Sequence, residues 1–314
     1  MYRTLLISML GLGAFLTPAE CLAQVEMIKY GPHSQNWAWV LHAPAWAPGV
    51  QQAPPPVYVH FHGGGFTGGS PEFGPFWWDL YRQGVTIVAP TYRLIQHKAT
   101  KEAILRDGAR VVQYLRLNSS RLDIDPHRIA IGGYSSGGLV GTWVGLREDF
   151  ADPNSLDPVL RQSSRVSAIC AYDAQIHPML LSQWERYTGA PRYLLKDTVY
   201  AYVRQSLNGR QFTLPFLPTD FNSPADFELA LLYYDLETNP FKHCSADDPA
   251  IFFLSSGVPD PQTYLKNWSN TTGLHSPLLM IPMKNRMEEL HVRTGWGNSA
   301  AAANFILQEL QASR

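Results

Sequence analysis

The chain's 314 residues predict an α/β fold, a mostly parallel central sheet of about eight strands with helices on both faces. Three observations predict it. Short apolar runs alternate with stretches of helical period, as a parallel sheet with crossover helices requires. Two of the runs end in glycine-rich turns, His62-Gly63-Gly64-Gly65-Phe66 and Gly133-Tyr134-Ser135-Ser136-Gly137. Between about residues 175 and 247 the alternation stops, which reads as an insertion after the sixth strand.

The elements follow in order. Val25–Lys29 and Trp37–His42 read as early strands, the second of them antiparallel. Val57–Phe61 is an apolar strand running straight into the first glycine turn. A helix near Phe76–Gln83, a strand Val85–Ala89 and a helix Ala103–Leu117 come next, the last with Ile104, Leu105, Gly108, Val112 and Leu115 on one face. Asp123-Ile124-Asp125-Pro126 is a turn that launches the strand Arg128–Gly132. Ser136 to about Arg147 reads as a helix with Leu139, Val140, Trp143 and Leu146 together. Val166–Ala171 and Asp248–Ser255 are further strands, Leu278–Met283 is read as the last strand, and Ser299–Ala312 as the closing helix. The insertion is rich in aromatics, among them Trp184, Tyr187, Phe212 and Tyr233, and sits where a cap over a site would go. Most of those rings are expected to pack a core.

The two glycine motifs supply complementary halves of one chemistry. A serine between an apolar strand and a helix is forced into a strained conformation that pushes its Oγ out of the sheet. Ser135 is therefore the candidate nucleophile, and the helix dipole and free N–H groups behind it favour developing negative charge. The triple glycine can bring main-chain N–H groups close to a tetrahedral intermediate. Gly64, Gly65 and Ser136 are the candidate oxyanion donors. His62 reads as a structural residue of the loop rather than a base.

A nucleophilic serine needs a general base and a carboxylate to orient it, and behind a nucleophile elbow of this kind the chain order is Ser, acid, His. Asp260, in the exit loop of the strand Asp248–Ser255, is the first candidate acid, with Asp173 after Val166–Ala171 as its rival. His291 is the candidate base, because it follows the run read as the last strand. His275 precedes that run, which assigns it to the opposite end of the sheet.

Charge and composition narrow the classes. With a net charge of −1 and no basic run, a nucleic-acid surface is not indicated. No metal or nucleotide motif stands out, and no cofactor is expected. Residues 1–23 carry Arg3, an apolar run and Cys21-Leu22-Ala23, a signal peptide pattern that implies export to a periplasmic or secreted location and no transmembrane segment in the mature chain. The mature domain would be residues 24–314. Export permits a disulfide between Cys170 and Cys244, but Cys170 lies within an apolar strand and favours a buried thiol.

On His62–Phe66, Thr91-Tyr92-Arg93-Leu94, Asp123–Arg128 and Gly133–Gly138 the chain resembles α/β-hydrolase carboxylesterases, of the hormone-sensitive-lipase-like and related small-esterase groups. The resemblance implies the α/β-hydrolase fold with a cap after strand six. It also implies a Ser135–His291–Asp260 triad that cleaves short-chain acyl or aryl esters through an acyl-enzyme. Small-molecule or polysaccharide-linked esters are the expected substrates. Amide hydrolysis, as in a serine peptidase or formamidase, is the alternative, and a silent hydrolase-like binding protein is a third reading. The chain departs from lipase-like relatives in having Tyr134 before the nucleophile, where Asp is frequent.

Overall fold

The computed structural model describes residues 24–47, 53–73, 75–174, 176, 238–255, 275, 277 and 280–312. Its sheet has eight strands: β1 Val25–Lys29, β2 Trp37–Leu41, β3 Val57–Phe61, β4 Thr86–Pro90, β5 Ile129–Tyr134, β6 Ala168–Tyr172, β7 Ala250–Leu254 and β8 Thr294–Gly297. Their spatial order is β1-β2-β4-β3-β5-β6-β7-β8. The β1–β2 and β2–β4 pairs are antiparallel and every other pair is parallel.

All five residues of β3 are buried, as they are in β4 and β7. Successive side chains of a strand point to opposite faces, so burial without alternation means that both faces are covered. One core places Val57, Val59 and Phe61 against α2 (Lys101–Leu117) and α4 (Ser136–Leu146). The other places Tyr58, Ile87, Ala130 and Cys170 against α1 (Pro75–Arg82) and the C-terminal helix α6 (Ser299–Ala312). The short α3 (Ser119–Leu122) leads into the turn before β5.

Each helix is built from local signals. Thr100 caps α2 by accepting a hydrogen bond from the Ala103 N–H, and Glu102 sits in its first turn, where the dipole favours an anion. Every residue of α4 is buried, so it is a helix of the interior rather than a surface one. The turn Asp123–Arg128 is locked by Arg128, whose Nε donates to Asp125 at 2.6 Å and whose Nη2 donates to the Pro54 carbonyl at 2.7 Å.

The C-terminal region departs from the sequence reading. Within the run read as Leu278–Met283, the described residues 280–283 are not a strand. Residues Ile281–Glu289 form a helix, α5, with Pro282 in its first turn. Proline is well suited there, since its missing N–H has no intrahelical partner to lose. Met280, Met283 and Met287 are buried at helical spacing against the core. The last strand is instead Thr294–Gly297, half-buried along its length and without an apolar run to announce it.

Cys170 and Cys244 are both free thiols, and burial pushes each up to about 12. Among the described residues no helix is long and apolar enough to cross a membrane. Residues 1–23, read as a leader, and nearly all of 175–247, read as an insertion, lie outside the described residues.

Candidate active site

β5 ends at Tyr134 and α4 begins at Ser136, so Ser135 occupies the junction alone. Its backbone has φ 54° and ψ −120°, a conformation that side chains other than glycine seldom adopt. The strain is held from both sides. Ser135 N–H donates to the Tyr172 carbonyl of β6 at 2.9 Å, and Ser135 C=O accepts from Leu139 in the first turn of α4. At Gly137 a Cβ would fall 2.1 Å from the Phe61 carbonyl oxygen, so the elbow closes on β3 only if that position is bare.

The glycine loop lies against the same serine. A Cβ at Gly63 would meet the Tyr134 ring at 2.9 Å and Ser135 Cβ at 3.4 Å. Gly64 and Gly65 both have positive φ, 117° and 61°, and Phe66 continues the left-handed path at 63°. The loop is braced from behind. Tyr92 Oη donates to the His62 carbonyl at 2.6 Å and its ring stacks on the His62 imidazole at 4.4 Å. Arg93 in turn grips Asp107 through Nε at 2.8 Å and Nη2 at 2.7 Å, fixing the Thr91–Leu94 segment to α2.

His62 itself has a structural role, as the sequence suggested. Its Nδ1 donates to the Gly63 carbonyl at 2.7 Å, and burial, opposed by that bond, lowers its pKa. His60, one step back on β3, is fully enclosed beside Trp77 and Tyr58, and burial followed by the neighbouring His62 holds it well below the ordinary value. Among the described residues no group of three or more His, Cys, Asp or Glu side chains gathers as a metal site.

The residue on the candidate nucleophile, Ser135, is His275. Its Nε2 lies 2.8 Å from Ser135 Oγ, and its ring stacks on Tyr134 with centroids 5.3 Å apart and an interplanar angle of 11°. The expectation for His291 is therefore corrected. His291 sits exposed in the turn between α5 and β8, its N–H bonded to the Glu288 carbonyl. β8 runs parallel to its neighbour β7, so a residue just before it lies at the amino edge of the sheet, whereas Ser135 lies at the carboxyl edge. A five-residue strand separates those edges by roughly 17 Å. The error came from taking Leu278–Met283 for the last strand. The methionine spacing and Pro282 were the signals that could have exposed it.

Of the two candidate acids, Asp260 lies outside the described residues. Asp173 follows β6, one step along the sheet from Ser135, and is 2% exposed. Its carboxylate accepts from Ser255 Oγ at 3.0 Å, and its φ is 41°. Tyr134 and Tyr172 flank it, with ring centroids 4.8 Å apart. Burial first, then the charge of Asp173, raises both phenols.

A strained serine at a strand–helix junction, a histidine on its Oγ and a glycine loop beside it, on this strand order, define the architecture. The chain has the α/β-hydrolase fold. Residues 45–188 match the BD-FAE family model, a span that contains both glycine motifs. No curated protein sequence matches the chain. Solved structures do. An acetyl ester-xyloside bifunctional hydrolase from Caldicellulosiruptor lactoaceticus superposes with a TM-score of 0.55 at 18% identity, over 91% of this chain and 93% of that one. Esterase 2 of Thermogutta terrifontis phosphonylated by sarin gives 0.57 at 17% identity, over 96% and 95%. A lipase/esterase from Lactobacillus plantarum gives 0.55 at 14% identity, over 92% and 98%.

Proposed function

We propose that this hydrolase cleaves carboxylic esters through an acyl-enzyme on Ser135, with His275 as general base. The observation that carries the reading is the 2.8 Å contact between His275 Nε2 and Ser135 Oγ at a strained elbow. In that arrangement the imidazole takes the hydroxyl proton as Oγ bonds to the ester carbonyl carbon. The oxygen that becomes negative accepts hydrogen bonds from the N–H groups of Gly64, Gly65 and Ser136, the last of which heads α4 and has no intrahelical acceptor. Collapse of the tetrahedral intermediate breaks the bond to the alcohol, which leaves with the proton held by His275. Water then repeats the sequence on the acyl-enzyme and releases the acid. A carboxylate at the other imidazole nitrogen keeps Nε2 as the acceptor, and Asp260 is proposed for that role.

Short acyl groups, acetyl foremost, on sugar or aryl alcohols are the proposed substrates. The neighbours support this, since one is an acetyl ester-xyloside hydrolase and another a carbohydrate esterase from gut microbiota. Export by the leader at residues 1–23 belongs to the same proposal, and would bring the enzyme to polysaccharide-linked esters outside the cytoplasm.

The test is turnover of p-nitrophenyl acetate and labelling by a fluorophosphonate probe. Both are expected in the wild type and both are lost in Ser135→Ala. Labelling that survives the substitution would refute the assignment of the nucleophile.

A further inference from the structure

Tyr134 stands where lipase-like relatives often have Asp, and the geometry around it is specific. One side of its ring carries the His275 imidazole, nearly parallel at 11°. Its edge is wedged against Gly63 of the glycine loop, where an added Cβ would fall 2.9 Å from Tyr134 Cδ1. One aromatic ring therefore touches both the base and the loop that faces the nucleophile. Burial, then Asp173, Tyr172 and Glu72, raise its phenol, so the ring meeting the histidine is a neutral one with its electron-rich face available.

We propose that Tyr134 is a positioning residue: its ring is the platform that sets His275 against Ser135 and favours the imidazolium formed at each proton transfer. The proposal rests on the reading of His275 as general base. A cation is attracted to the face of an aromatic ring, whereas a neutral imidazole gains less there. The interaction is thus stronger in the transition state than in the ground state, and a contribution of that kind appears in kcat rather than in KM.

The test compares Tyr134→Phe, Tyr134→Leu and Tyr134→Met in the full chain, with p-nitrophenyl acetate as substrate. Leucine and methionine retain apolar bulk against Gly63 but remove the π face, and the pair guards against one variant failing to fold. They are expected to lower kcat about 3- to 30-fold while KM stays within about twofold. Phenylalanine is expected to rescue most of the loss. The stack itself is read without turnover from the imidazole proton resonances of His275. Ring current holds them upfield in the wild type and in Tyr134→Phe, and they move downfield in the other two. Undiminished kcat in Leu and Met, a loss in Phe as large as theirs, or unmoved resonances would each overturn the proposal. If the wild type turned over no ester, the functional reading would fail while the resonances still tested the stack.

Discussion

The two halves of the candidate site, the proposed nucleophile and the proposed base, are built by different means. From β3 to α4 the main chain does the positioning: Ser135, Gly64 and Gly65 hold positive φ, and Gly137 has no room for a side chain against Phe61. Constraints of that kind must be met by particular residue types, so they leave a mark in the sequence. The base half depends on one side chain reaching across from His275, which belongs to none of the described strands. His275 needs to meet Ser135 and Tyr134, and neither contact demands a particular neighbour in the chain. Backbone-determined chemistry is written locally, while side-chain delivery is written only in the completed fold.

The sharpest way to break this comparison is to exchange the two histidines. His275→Ala is expected to lower kcat by about 10⁴- to 10⁶-fold, the scale on which losing the base disables a serine hydrolase. His291→Ala, in an exposed turn, is expected to stay within about twofold. Ester turnover by the purified variants decides it, and equal losses would take the role of base away from His275.

The acid comes next in size. Asp260→Asn is expected to lower kcat by about 10²- to 10⁴-fold, as when an orienting carboxylate is neutralised and the wrong tautomer results. Asp173→Asn keeps the shape that receives Ser255 Oγ and is expected to lose less than about tenfold, mainly through the packing of Tyr134 and Tyr172. The reverse order would move the orienting role to the end of β6.

A smaller effect lies away from the site, at the other end of α4. His243, just before β7, lies against Arg147 at the end of α4, with Arg147 Nη1 3.1 Å from its Nε2. Burial, then Arg147 and Lys242, lower its pKa from 6.5 to about 4. The folded protein thus keeps His243 neutral where the unfolded chain takes up a proton. The unfolded state binds more protons between those values, so stability falls as pH drops from 6.5 to about 4, then levels. His243→Gln is expected to flatten that slope, read as the thermal midpoint against pH. A slope unchanged by the substitution would remove His243 as its source.

These contrasts explain what the sequence made legible. The first seven strands, the burial of both sheet faces and the place of Ser135 between strand and helix were readable because period, glycine and turn chemistry act over a few residues. The Thr91–Leu94 segment was visible as a motif, but its work, bracing His62 through Tyr92 and anchoring Arg93 on Asp107, needed the fold. The last strand was not readable. Thr294–Gly297 is short and half-buried, and the apolar run before it belongs to a helix that starts on a proline. Misreading one element reversed the end of the sheet to which each histidine was assigned.

The position of His275 ahead of α5 has an architectural consequence. The stretch 281–312, two helices and the last strand, supplies no reacting atom to the proposed chemistry, yet Phe305, Ile306 and Leu310 close one face of the sheet. Its contribution is shelter for the interior, while the side chains of the proposed chemistry stand on the rest of the polypeptide.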